Sequence, residues 1–490
     1  MDYNKYFSAD VPSFLRSPVR EIFRKVDLLA ICSFAGGYPS ESSFPMEEIG
    51  RLSKTVLEKY GSKALQYGAT QGVPELREEI ARCYGVPVSQ VQITTSSQQG
   101  IDVCTRVLAD PGDIILAPEP VYLGALQSFS AYRATVLPLP SADLEEANYS
   151  PERVIPPEGV EDFQTSDSGG TGEARIIASA SLRPLPPDEP AGPSLLRARG
   201  WARISGASPV PPDRTEGNAV VPERVVPPEG VAARGLVNGR GPQAERSGRD
   251  LPSGEITLSG KAKFIYVIPD FNNPTGRTMS LEERKGIVRI AEELDVLIVE
   301  DSPYRELRYS GEALPTIRSL APERTLQLGS FSKIFAPGFR LGWIIGPEEV
   351  LEQIYVCKQC LDLCPPVFDQ YMAAEFLASG ALDLNLEKTK ATYRRRRDMM
   401  LSLLEKHMPE GVLWNHPDGG LFLWLTLPES VDTVEMYDEA LSKGVAYVAG
   451  SFFYPDGSHR NTMRLNYTYI AEEKMATGIT ILADIIKSRI

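Results

Sequence analysis

The chain has 490 residues, 42% of them hydrophobic, with a formal net charge of −14 and a pI near 5.0. That length holds two or three domains with a sizeable core, and the acidity argues against nucleic acid or an anionic membrane as a main partner. No stretch of about 18 apolar residues exists, the start MDYNKYFSAD lacks a signal-peptide layout, and six cysteines in so long a chain do not suggest a disulfide scaffold, so a soluble cytoplasmic protein is expected.

Taken in chain order, short apolar runs alternate with helical patterns, as in α/β proteins. The strand candidates are Val91–Thr94, Ile114–Ala117, Phe264–Ile268, Leu297–Glu300 and Thr325–Leu328. Each is followed at once by a polar or glycine-rich cluster: SSQQG, PEPVY, PDFNNPTG, DSPYRE and GSFSK. In open α/β sheets the ligand crevice lies at the carboxyl ends of the strands, so five clusters at five strand ends predict one site.

One region breaks the alternation. Within residues 145–255, the stretch from Pro151 to Pro242 holds 15 of the 40 prolines and a near-repeat, PERVIPPEGV at 151–160 and PERVVPPEGV at 222–231. Two copies do not make a solenoid. The composition predicts either a loop-rich insertion or a small appended domain with strands at Ala174–Leu182 and Ala202–Val210. Further on, Cys357, Cys360 and Cys364 have no fourth ligand for an iron–sulfur cluster. Their spacing predicts one face of a helix, filled by small core side chains. The three histidines, His407, His416 and His459, show no metal-ligand spacing, so no metal is expected.

The run GSFSKIFAPGFRLGW sets Lys333 among Ser330 and Ser332, with Arg340 seven residues on. A lysine amine can form a Schiff base with an aldehyde, and hydroxyls with a guanidinium can neutralise a phosphate. Ser-x-x-Lys is also the nucleophile motif of penicillin-binding proteins, but its companion elements Ser-Asp-Asn and Lys-Thr-Gly are absent. Ser97 and Gln98 open a helix after a strand; alone this is an ordinary cap, and beside Lys333 it is an anion site. Tyr122 is a core tyrosine or a ring able to stack on a flat cofactor. Asn273 sits in the turn Asn273-Pro274-Thr275-Gly276, and its amide can donate to a phenolic oxygen. Asp301 ends the apolar run VLIVED, and a buried carboxylate needs a cationic or hydrogen-bonding partner. Tyr304 follows three residues later and can share the oxygen with Asn273. Arg464, in NTMRLNYTY, is either a surface arginine of a hairpin or a bidentate clamp for a carboxylate.

The order Asn-Pro-x-Gly, Asp-x-x-Tyr, Ser-x-x-Lys with a trailing Arg resembles the class I/II, fold-type-I aminotransferases that use pyridoxal 5'-phosphate (PLP). With FAGGYP at 34–39, Gln66-Tyr67-Gly68, Gly72, Leu76 and Arg77, the chain is similar to the branch of 2-aminoadipate, kynurenine and multi-substrate aminotransferases. The resemblance implies an α/β fold with a mostly parallel sheet in a large domain and a smaller α+β domain; the inserted Pro/Gly-rich segment between Tyr122 and Asn273 departs from the family's pattern. The resemblance divides the chain into an arm and part of the small domain (1–45), the large domain (46–144 and 256–350), the insertion (145–255) and the C-terminal small domain (351–490). It implies that Lys333, Asp301 and Tyr304 are catalytic. Ser97, Gln98, Tyr122, Asn273, Ser330, Ser332 and Arg340 would bind cofactor with them, and Gly37, Asn273 and Arg464 would meet substrate. It also implies a homodimer with shared sites, in which Tyr67 reaches the partner's cofactor phosphate. The reaction implied moves the amino group of an aromatic, 2-aminoadipate-like or branched-chain L-amino acid to an oxo acid such as 2-oxoglutarate. A lyase or decarboxylase on the same scaffold, and a PLP-sensing regulator, are the alternatives, and the insertion is a candidate partner-binding module. Arg16 and Arg20 are candidates for meeting a distal substrate carboxylate.

Overall fold

The computed structural model describes residues 3–8, 11, 14–15, 17, 31–139, 176–178, 256–258 and 261–490. Arg16, Arg20, the run Ala202–Val210 and both copies of the near-repeat lie outside the described residues. Within the insertion, the backbone of Ile176–Ala178 forms a strand paired antiparallel with Ile256–Leu258, inside the expected run Ala174–Leu182.

The centre is a seven-stranded sheet. Its strands lie in the order Val91–Thr94, Gly342–Ile345, Thr325–Ser330, Leu297–Asp301, Ala262–Val267, Ile114–Ala117, Thr135–Pro138. Gly342–Ile345 is antiparallel to both neighbours, and every other pair is parallel. All five expected strands are in this sheet, shifted at their ends by up to two residues. Sequences such as IILA and LIVED are buried along nearly their whole length, as expected of parallel strands that lack a solvent face. The helix Ser96–Leu108 turns Ile101, Val103, Cys104 and Thr105 inward, and Leu281–Glu293 is nucleated by a reciprocal cap between Ser280 and Glu283.

A second, antiparallel sheet has the order Leu413–Trp414, Phe422–Thr426, Thr462–Asn466, Val448–Ala449. The helices Ala381–His407 and Glu472–Lys487 pack on each other beside it. Cys32–Ser33 pairs in parallel with Val445–Ala446, and this short ladder carries the following Phe34–Tyr38 segment along Thr462–Asn466. Asn466 N–H donates to the Phe34 carbonyl at 2.8 Å.

The expectation for the cysteines is corrected. The helix Glu348–Gln359 contains only Cys357; Cys360 is its C-cap and is exposed, while Cys364 sits in a turn. The helix ends at Gln359, Leu363 takes a left-handed φ of 61°, and Pro365 disfavours a helical backbone at Cys364. Cys357 is half-buried against the core and Cys364 is half-buried, Cys360 is exposed, and all six cysteines are free. Among the described residues no helix is long and apolar enough to cross a membrane, and no group of three His, Cys, Asp or Glu side chains could hold a metal ion.

Candidate active site

At the carboxyl ends of the parallel strands lies a cleft of about 390 Å³. All five polar clusters contribute to it. Ser97 and Gln98, Tyr122, Asn273, Asp301 with Tyr304, and Ser330, Ser332 and Lys333 all line it, joined by Gly37, Arg340 and Arg464. Tyr67 does not; it is 79% exposed on the surface.

Lys333 follows the strand Thr325–Ser330, and its amine donates to the Gly37 carbonyl at 2.6 Å. Burial, reinforced by the Arg464 and Arg340 charges, pushes its proton affinity down to about 8. Arg464 is 3% exposed. Its Nη1 donates to Asn273 Oδ1 at 2.7 Å and its Nη2 to the Ala35 carbonyl at 2.6 Å. Its plane lies over Phe422, 4.4 Å from the ring centre. Nε has no acceptor among the described residues, and burial lowers this guanidinium to about 10. A surface hairpin arginine is therefore excluded.

Asp301 ends the central strand and is 1% exposed. Its Oδ2 accepts from the Tyr266 hydroxyl at 2.9 Å, while Oδ1 is buried with no partner among the described residues. Burial raises this carboxyl to about 7, partly offset by the Tyr266 hydrogen bond. Asn273 Nδ2 donates to the Tyr304 hydroxyl at 3.2 Å, so that hydroxyl keeps its own proton free to donate elsewhere. Burial raises the Tyr304 phenol well above its usual value.

The rim opposite is built around an anion cradle. Ser96 takes a left-handed φ of 66° and Arg340 one of 51°, and Arg340 Nη2 donates to Ser96 Oγ at 2.9 Å. Ser330 Oγ accepts from the Ser332 N–H at 3.1 Å. Gly342 is required by close approach: a Cβ there would lie 2.7 Å from Ser96 C and 2.8 Å from Ser97 N. Gly124 serves Tyr122 in the same way, since a Cβ would come within 2.6 Å of its ring. Gln98 Nε2 donates to the Gly124 carbonyl at 2.8 Å and to Ser128 Oγ at 3.1 Å, which leaves the backbone of the first helical turn as the donor set.

Several site residues escaped the sequence reading. Ser96 has a signal, as the polar residue directly before Ser97 at a helix start. Tyr266 has one too, as the single hydroxyl in the apolar strand Ala262–Val267. Gly124, Gly342 and the lining residue Tyr38 offer none without the fold.

The donor set suits a phosphorylated pyridine aldehyde. An amine poised for an aldehyde, an orphaned carboxylate oxygen able to take a ring N–H, and a cradle beside Arg340 for a phosphate meet in one cleft. The comparisons agree. The family described as aminotransferase class I and II matches residues 35–152 and 245–481. An aromatic-amino-acid aminotransferase from Thermococcus litoralis is 36% identical, over 99% of this chain and 95% of its own length. Among solved structures, a multiple substrate aminotransferase from Thermococcus profundus is 32% identical with a TM-score of 0.73, covering 100% of this chain and 99% of its own. A Pyrococcus horikoshii kynurenine aminotransferase, solved with pyridoxamine phosphate, is 33% identical with a TM-score of 0.73, covering 99% and 98%. Fold and cleft together define a PLP-dependent transferase of fold type I. This chain belongs to the class I and II aminotransferases, and pyridoxal 5'-phosphate is its cofactor.

Proposed function

We propose that the enzyme moves the amino group of an aromatic, 2-aminoadipate-like or branched-chain L-amino acid to a 2-oxo acid such as 2-oxoglutarate. The names of its relatives support the donor class. The observation that carries the site assignment is the charge pattern of the cleft: two buried cations, Lys333 and Arg464, and one buried carboxylate, Asp301. None of the three has an ion-pair partner among the described residues.

In this reading Lys333 would be the residue that holds the cofactor through its aldehyde. The first turn at Ser97 and Gln98, with Ser330, Ser332 and Arg340, neutralises the phosphate. Tyr122 covers one ring face, and Asn273 and Tyr304 donate to the ring oxygen. Asp301 Oδ1 accepts the ring N–H. The bound, protonated ring supplies an electron sink for the negative charge left when the substrate Cα loses its proton. Arg464 clamps the substrate carboxylate, with Asn273 and the Phe34–Tyr38 segment fixing its fork. Lys333, whose amine donates to the Gly37 carbonyl, would be the group to take the Cα proton as general base. A lowered affinity for protons keeps a useful fraction of the amine neutral for that step. Two subunits complete each other's sites, with Tyr67 reaching across; its 79% exposure supports this. The insertion takes no part in the chemistry.

The test is a single half-reaction. Protein loaded with PLP and given amino acid alone should yield pyridoxamine phosphate and the oxo acid, and a panel of donors against 2-oxoglutarate should rank the substrates. Borohydride should fix the cofactor to Lys333. Formation of an amine or of a cleaved side chain in place of the oxo acid would turn the assignment toward a decarboxylase or lyase.

A further inference from the structure

We infer that Tyr266 is a positioning residue of the transfer reaction: its hydroxyl holds Asp301 as the anion that keeps the cofactor ring nitrogen protonated. The inference rests on the proposed pairing of Asp301 with that nitrogen.

Four observations carry it. Asp301 receives a single hydrogen bond within the described chain, from the Tyr266 hydroxyl to Oδ2 at 2.9 Å. Its other oxygen is buried and without a partner. The groups that neighbour it in the cleft bring no counter-charge: Lys333 donates to Gly37 and Arg464 to Asn273 and Ala35. Finally, Tyr266 is held rigidly. It sits at 2% exposure in the strand next to Asp301, opposite Val299, and its ring packs edge-on against Phe129 with centres 5.4 Å apart.

A carboxylate and a pyridine nitrogen that face each other share one proton. Where that proton rests depends on how basic each partner is. A hydrogen bond donated to the carboxylate stabilises its charged form and lowers its basicity, so the proton stays on the nitrogen and the ring remains an electron sink. Without the Tyr266 donor the carboxylate is buried with no stabilising contact from the protein, and it draws the proton to itself. The ring is then neutral and withdraws electrons poorly. Even with the Tyr266 hydrogen bond in place, burial raises the Asp301 carboxyl to about 7, which leaves the balance sensitive to that one bond.

Tyr266→Phe keeps the packing on Phe129 and removes only the hydroxyl. In holoenzyme carrying PLP labelled with nitrogen-15 in the ring, the wild-type resonance should report a protonated nitrogen. Tyr266→Phe should move it toward the neutral position, and Asp301→Asn should move it at least as far. The half-reaction should slow about tenfold to a hundredfold, the range given by one hydrogen bond to a charged group. The dissociation constant for PLP should change less, because the phosphate contacts remain. If Asp301→Asn moves the resonance and Tyr266→Phe does not, the inference about Tyr266 is overturned while the pairing stands. If neither moves it, the pairing of Asp301 with the ring fails first. A Tyr266→Phe protein that slows the reaction with an unmoved resonance also overturns the inference, since the hydroxyl would then act through structure alone.

Discussion

Arg464 offers the sharpest test of how the cleft recognises substrate. A guanidinium has five N–H donors; in this protein one goes to Asn273 Oδ1, one to the Ala35 carbonyl, and the Nε–H has no acceptor. The remaining donors on Nη1 and Nη2 form a fork fixed by those two bonds and by stacking on Phe422. Arg464→Gln removes the fork and the charge. Two charge-assisted hydrogen bonds at about 1.5 kcal/mol each make about 3 kcal/mol, or about 150-fold in kcat/KM. Amino acids should lose that factor. Amines that lack the carboxylate but keep the side chain should lose little, so the ratio of the two rates should collapse toward one. Stopped-flow measurement of both half-reactions gives the ratio directly. Stability should not fall in parallel, because Arg464 is a buried charge with only neutral partners, and its removal relieves a desolvation cost. An Arg464→Gln enzyme that still prefers the carboxylated substrate by the wild-type factor would refute the assignment.

Asp301→Ala should cut the proton-transfer rate by several orders of magnitude more than it weakens PLP binding, measured by single turnover and by cofactor titration; near-normal turnover would show the carboxylate misassigned. The apoenzyme should combine with PLP in a pH-dependent way: neutral amine is the reactive form, so the rate should rise with pH to a midpoint near 8, the value to which Lys333 is lowered. Arg340→Gln removes a neighbouring positive charge, so that midpoint should move upward. Gly342→Ala sets a Cβ against Gly329 O, Ser96 C and Ser97 N at 2.7, 2.7 and 2.8 Å, all backbone, so PLP affinity should fall at least tenfold while amino-acid discrimination is kept. Replacing residues 145–255 by a short Gly/Ser linker should leave a PLP-loaded enzyme that completes a half-reaction, since loop closure costs grow slowly with length.

The elements at strand ends were legible because the chemistry there is local. Lys333, Asp301 and Asn273 each stand at the end of an apolar run, and a polar side chain in that position has nowhere to point but into a crevice. Contacts that depend on register were not legible. The Tyr266–Asp301 bond joins two strands only because Tyr266 lies opposite Val299, and alternation within one strand says nothing of its neighbour's offset. Apart from the resemblance, Arg464 could be read as a surface residue, because its burial comes from Phe422 and Asn273, the latter 191 residues away. The cysteines misled because their helical spacing runs on past Gln359, where the helix ends, so Cys360 and Cys364 fall outside it.

In the proposed mechanism one lysine serves both as the resting anchor and as a base, and the charges of the cleft bear on how it could do both. Arg464 lowers the proton affinity of Lys333 more than Arg340 does. While Arg464 stands without a carboxylate, the lysine amine is held toward its neutral, nucleophilic form, which suits bonding to the aldehyde. A substrate carboxylate seated on Arg464 cancels most of that charge, and by the same Coulombic argument the amine becomes a stronger base. In the proposed mechanism, that change arrives when Lys333 has been displaced and must take the Cα proton. An amine lacking the carboxylate does not trigger it, so part of the loss such substrates suffer belongs to chemistry and not to binding. In the proposed mechanism the residue that clamps the substrate would therefore also modulate the base, adding to the burial that lowers Lys333 first.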